Sequence, residues 1–259
     1  MLKTSENYVK KLVEENQRID DRKFDEHRKI EIETGIIETA EGSARVKLGN
    51  THVLVGVKMS VGEPYPDIPN EGVLIVNAEL APIASPMFEP GPPDEEAVEI
   101  ARVIDRGIRE SQCIEVEKLC IEPGKKVWMV NVDLHVLDHD GNLIDAGGLG
   151  AIAALLKTKI PTYDEKNDKV VYGEYEKKLP VKDVPIPVTI AKISSSLLVD
   201  PNLEEENAMD SRITIATNKH GDICAMQKGG DGYFTTEEIE KSIDLSILKG
   251  KELRKILGA

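Results

Sequence analysis

The feature that most constrains this chain is an alternating run that ends in a turn and passes into a slim helix. Between Val127 and Leu137, Val130, Val132, Leu134 and Val136 are separated by Asn131, Asp133 and His135. A period of two puts the apolar set on one face of a β-strand. Asp140-Gly141-Asn142 then turns the chain, and Gly147 to Thr158 carries Ala151, Ala153 and Ala154. A helix of such small residues has the narrow profile needed to pack tightly on a sheet.

The same grammar recurs on either side. Residues 5–16 read as an amphipathic helix with Val9, Leu12 and Val13 on one side, followed by an ordered polar loop, Arg18 to Arg22. From Ile30 the pattern becomes strands. Gly42–Gly49 and Thr51–Lys58, joined at Gly49-Asn50, form a hairpin signal. A proline-rich loop (62–70), a strand (Gly72–Leu80) and a second Pro/Gly stretch (Pro82–Pro93) lead to a helix over Glu95–Glu110. Ala97, Ile100, Ala101, Ile104 and Ile108 share its inner face. Pro161 to Pro180 is charged and reads as a linker or surface excursion. Beyond it, Pro187–Ile193, Ser196–Val199, Arg212–Ala216 and Asp222–Gln227 read as strands. A last helix is opened by the capping box Thr235 to Glu238 and continued by Ile239, Ile243 and Ile247. Strands followed by helix, twice over, imply an α+β architecture in two halves divided near 160–185. The expected organisation is an N-terminal helix and loop (1–29), a first domain (30–165), a linker (166–185) and a second domain (186–257).

Composition limits the function classes. The 259 residues are 31% charged and 4% aromatic, with a formal charge of −14. An acidic surface argues against a free nucleic-acid binder, although a local basic site completed by a partner chain stays open. Cys113, Cys120 and Cys224 are an odd set without a CxxC pair, as expected of free thiols in a reducing cytoplasm. The N-terminus is charged throughout, unlike a signal peptide, and no apolar run approaches the roughly 20 residues that span a bilayer. The chain is expected to be cytoplasmic, with no membrane partner.

Arg18-Ile-Asp-Asp-Arg22, the Glu41–Thr51 segment, Glu99-Ile-Ala-Arg-Val-Ile-Asp-Arg-Gly-Ile-Arg109, Val136–Gly141 and Asp200–Asp210 together resemble the RNase PH family. They stand in family order and cover nearly the whole chain. Ile121–Trp128 and Asn77–Pro93 bring it nearer the non-catalytic RNase PH-like type of archaeal exosome subunit than the active type. The resemblance implies an RNase PH-like fold, with a first half like ribosomal protein S5 domain 2 and a second half like RNase PH domain 2.

Phosphorolysis brings inorganic phosphate against the last phosphodiester of RNA, so its site needs cations and hydroxyl or backbone donors around phosphate. It also needs carboxylates that handle protons or hold a metal. In active relatives the turn after the central strand supplies a Thr and an Arg at a helix N-terminus. By that resemblance the matching positions here are Leu143 and Ile144, and the phosphate-binding Arg before the long helix is matched by Glu96. Carboxylates persist in Glu206 and Asp210, spaced more closely than the aspartate pair of active relatives. No catalytic residue, cofactor or metal is expected.

Arg102, Arg106 and Arg109 align along one face of the long helix. Glu95, Glu99 and Asp105 stand three or four residues from them and could neutralise them locally. The resemblance implies instead that the row binds RNA, Arg102 and Arg106 across a subunit interface and Arg109 with them, where a planar guanidinium suits phosphate oxygens. His135 and His139 have the spacing of a helical metal pair, but along a strand they would lie about 13 Å apart. Trp128 reads as core, and Gly229-Gly230-Asp231-Gly232 as a flexible loop without the lysine of a P-loop.

The resemblance thus implies a non-catalytic subunit of a phosphate-dependent 3′–5′ exoribonuclease complex for RNA degradation, processing and, in reverse, tailing. Its partners would be a catalytic RNase PH-like subunit in a hexameric ring (a trimer of heterodimers), KH- and OB-type RNA-binding caps, and RNA. An active subunit with an altered phosphate pocket and a stand-alone RNA-binding module are the competing expectations.

Overall fold

In the computed structural model, which describes residues 2–258, the alternating run is β6 (Lys126–Asp138), at the centre of the first sheet. Around it lie β1 (Ile30–Thr34), β2 (Gly42–Leu48), β3 (Thr51–Gly62) and β4 (Val73–Leu80), in the order β1-β2-β3-β6-β4. The short β5 (Cys120–Glu122) pairs with the start of β6. All pairs are antiparallel except β4 with β6. The β2–β3 hairpin closes as its sequence predicts, with Gly49 at φ +60°.

Two helices cover the buried face of this sheet, α2 (Glu95–Glu110) and α3 (Leu143–Leu155). Every residue of α3 is buried, because the helix is held between the first sheet and a second one. Its small residues permit that approach. A Cβ added at Gly150 would fall 2.7 Å from Val55 Cγ2, and one at Gly148 would fall 2.4 Å from Pro187 Cγ in the second sheet. The helix begins at Leu143, one turn earlier than the expected Gly147, because Asn142 adopts the left-handed conformation at its N-cap.

The second sheet is antiparallel, in the order β10-β9-β11-β12: β9 (Ile186–Ile193), β10 (Ser196–Val199), β11 (Ser211–Thr217) and β12 (Ile223–Gly229). The last helix, α5 (Thr236–Leu257), opens with the expected capping box and packs on β9 and β11 opposite α3. With a helix on each side, β9 is buried along both faces, which is why its sequence is mostly apolar, broken by Thr189 and Lys192, rather than alternating.

The segment 166–185, expected as a linker, contains most of a β-hairpin. β7 (Lys159–Asp164), which falls in the expected first domain, pairs with β8 (Lys169–Lys178), a mostly exposed strand of which half the residues are charged. A strand that faces water gives no apolar period to read. The loop around Glu204 to Glu206 likewise holds a short helix, α4 (Leu203–Ala208), with an Asn202–Glu205 capping box. Ahead of the first sheet, α1 (Leu2–Glu14) lays Val9 and Val13 against Ile193, Leu198 and Ala208, which belong to the second half of the chain. Among the described residues no helix is long and apolar enough to cross a membrane.

Candidate functional site

The turn Asp140-Gly141-Asn142 delivers the N-terminus of α3 beside α2, α4 and the start of β11. Gly141 is required there: its φ is +81°, and a Cβ would lie 2.5 Å from the Asn202 carbonyl carbon. Together these elements border a cleft of about 280 Å³ lined by Glu96, Glu99, Asn142, Leu143, Ile144, Thr189, Glu206 and Arg212. The three positions that the sequence assigns to a lost phosphate grip, Glu96, Leu143 and Ile144, therefore come together in space, and Glu206 joins them.

The lining gathers three carboxylates around a single cation. Glu206 Oε1 accepts the Asn142 N–H at 2.8 Å, so a carboxylate of the chain itself engages the opening of α3. Burial pushes the Glu206 carboxyl up to about 7, against the Asn142 N–H and the charge of Arg212. Burial, then the neighbouring Asp94 carboxylate, also holds Glu96 above its ordinary range. Arg212 is the one cation among the lining residues. Its Nη2 donates to Glu99 Oε2 at 2.7 Å, and Nη1 is buried without a hydrogen-bond partner among the described residues. Leu143 and Ile144 are buried and carry neither hydroxyl nor charge.

Glu206 and Asp210 do not form a pair. Asp210 turns away, accepting from Lys10 Nζ at 2.9 Å and from the Ser194 N–H at 2.7 Å. Its carboxyl is held below the ordinary range by these contacts, Lys10 foremost, which outweigh its partial burial. The residue at position 210 thus fastens α1 to the β9–β10 turn.

Behind the cleft lies an ionic network of which the sequence showed only parts. Asp200 is fully buried and accepts from Arg28 Nη2 at 2.7 Å, Arg28 N–H at 2.8 Å and Asn142 Nδ2 at 2.7 Å. Burial disfavours its ionisation, but the Arg28 contacts prevail and hold it below the ordinary carboxylate range. Asn142 Nδ2 also donates to Asp145, which in turn accepts from the Thr189 N–H and hydroxyl. Burial pushes Asp145 up to about 7 despite those donors. Arg18 forms a two-pronged bond to the buried Glu205, the capping residue of α4. Arg28 was missed because nothing local to it distinguishes a buried arginine from a solvated one.

The arginine row on α2 divides. Arg109 is bound to Asp105 and to the Leu74 carbonyl, so local neutralisation accounts for it. Arg102 and Arg106 are exposed and make no side-chain hydrogen bond or ion pair among the described residues. Glu99, which could have neutralised them, is engaged with Arg212 instead. His135 and His139 also part: His135 Nδ1 is 3.1 Å from Glu79, and the His139 ring lies against Phe88. Among the described residues no cluster of His, Cys, Asp and Glu is placed to hold a metal. Trp128 is buried with its ring edge to Tyr163, and Gly230 borders the cleft.

Comparison with known proteins gives the family of the chain. Residues 26–161 match the model of the 3′ exoribonuclease family, domain 1, and residues 183–247 match domain 2 of the same family. The chain is 60% identical over 248 residues to the protein of Thermococcus gammatolerans named exosome complex component Rrp42, covering 95% of this chain and 91% of that one. Among solved structures it is similar to a chain of the Archaeoglobus fulgidus exosome with RNA bound to the active site, with a TM-score of 0.92, 52% identity and 98% of each chain covered. It is also similar to a chain of an archaeal exosome core, with a TM-score of 0.89, 47% identity, and 100% of this chain and 98% of that one covered.

Proposed function

Because the chain belongs to the 3′ exoribonuclease (RNase PH) family over both of its domains, we propose that it is the exosome subunit that supports phosphorolysis without performing it. The carrying observation is the cleft at the start of α3. Glu96, Glu99 and Glu206 gather there with Ile100, Leu143 and Ile144 against a single cation, Arg212, which Glu99 already engages, and Glu206 engages the opening of the helix. Phosphate and the RNA terminus are both anions. In a partly desolvated cleft, carboxylates in place of cations raise the energy of the attacking complex.

What the chain offers instead is fold and charge placement. Arg102 and Arg106, exposed and unpaired among the described residues, project from α2 as two guanidinium groups free to take RNA phosphates. On this reading a catalytic RNase PH-like sister supplies the chemistry, the two alternate in a hexameric ring, and RNA-binding caps complete the particle. The full-length likeness to exosome chains supports that assembly.

The test is phosphate-dependent release of nucleoside diphosphates from oligoribonucleotides by this chain alone, by the sister alone and by the pair. Inactivity of this chain, with turnover by the pair exceeding that of the sister alone, is the expected result. Diphosphate release by this chain alone would overturn the reading in favour of an active subunit with an unfamiliar pocket.

A further inference from the structure

We propose that the acidic pocket between the end of β4 and the start of α2 seats an arginine- or lysine-bearing segment of the sister subunit. The inference rests on the subunit reading above and adds to it a surface and the chemistry that the surface recognises.

The pocket, of about 520 Å³, lies under the loop 81–93 and is separate from the cleft at α3. Its lining contains three carboxylates, Glu79, Glu89 and Asp94, and no lysine or arginine. These carboxylates are poorly compensated. Glu89 makes no ion pair among the described residues, and Glu79 has only His135, at 3.1 Å. Asp94 spends one oxygen on the Ala97 N–H to cap α2. Two further glutamates, Glu95 and Glu96, occupy the first turn of that helix. Such a field repels RNA phosphates and attracts a cationic side chain, which makes the occupant protein rather than RNA.

The rim carries the apolar part of an interface. The loop is anchored by Ala84, Ser85 and Phe88, all buried, and the Phe88 ring packs on His139 at 5.2 Å. Turns from Ala84 N–H to the Ala81 carbonyl and from Phe88 N–H to the Ser85 carbonyl fix its path. That anchoring holds Ile83 and Met87 outward, at 78% and 81% exposure. A fixed loop that presents Met87 at the pocket, and Ile83 on the same loop, near carboxylates with few partners has the composition of a protein-binding surface: an apolar contact with a charged anchor. An arginine or lysine fits both parts, with its aliphatic stem against Met87 and the prolines and its head among the carboxylates. β4 is also the outer strand of its sheet.

The test measures affinity for the sister subunit, at low and at high salt, for the wild type, a Glu79→Gln/Glu89→Gln variant and a Glu79→Arg/Glu89→Arg variant. Both positions are exposed, and far-ultraviolet circular dichroism together with a thermal melt establishes that the variants fold. Charge reversal is expected to weaken association by at least about tenfold, with the neutral variant between the two and the wild-type affinity falling as salt rises. If the wild-type pair assembles and the reversed variant assembles equally well, the pocket is not the seat and this inference falls while the subunit reading stands. If the wild-type chain does not associate with the sister at all, the subunit reading itself falls.

Discussion

Glu206 Oε1 receives the Asn142 N–H at 2.8 Å, so the opening of α3 is occupied by a carboxyl group belonging to the chain. An unfolded glutamate titrates near 4.3, roughly, whereas burial pushes Glu206 up to about 7. The folded state therefore binds the extra proton between those values. The Glu206 contribution to stability therefore falls as pH rises through that window and is level above it. Asp145 and Glu96, also raised, add to that slope, and His27, His52 and His139, lowered by burial, oppose it, so thermal melts from acid to neutral pH should show a less downward slope in Glu206→Gln than in the wild type. An unchanged slope in the variant would show that Glu206 is not the group responsible.

Arg102 and Arg106 stand apart from Arg109 because only Arg109 is held by its own helix. In the assembled complex, Arg102→Ala/Arg106→Ala should weaken RNA binding and slow cleavage while assembly stays intact. Loss of two phosphate contacts to a single strand should also lower the slope of log affinity against log salt by about 1.4. Unchanged turnover, affinity and salt slope would sink the RNA-contact assignment.

Arg18 and Glu205 form a pair with no exposed side-chain surface. Removing either partner strands a buried charge, so Arg18→Met or Glu205→Leu alone should cost about 3–5 kcal/mol in urea unfolding. The double variant should recover part of that loss, because the desolvation of both charges disappears together, while the Val199 and Asp200 carbonyls still lose their Arg18 donors. A double variant no more stable than the singles would show that the pair stabilises on balance.

Gly141→Ala puts a Cβ against the Asn202 backbone while also demanding a positive φ of an L-residue. The expected loss is at least ~2 kcal/mol, read as a lowered melting temperature. A melting temperature within error of the wild type would mean that the turn relaxes and that the α3 opening is less fixed than its packing implies.

Much of the fold was legible because its signals are local. The stripe on α2, the alternation of β6 and the Thr235–Glu238 box each follow from a few neighbouring residues. The β7–β8 hairpin escaped because its outer strand is wet on most of its length, so no period was imposed on it. The early start of α3 escaped because it depends on a left-handed Asn142, whose hydrogen bonds run to Glu206 and Asp200, distant in the chain, as well as to Asp145.

The candidate site divides in the same way. The sequence by itself determined which chemical groups are present: Leu143, Ile144 and Glu96 at the positions implied for phosphate contacts, and three arginines along one helix face. Side-chain chemistry is a property of the residue and needs no fold to be read. Only the tertiary structure decided which groups meet. It turned Glu206 toward Asn142 and Asp210 toward Lys10, and it tied Glu99 to Arg212, leaving Arg102 and Arg106 without partners among the described residues. Those choices rest on contacts between residues distant in the chain, whose energies depend on burial and direction that no local pattern encodes.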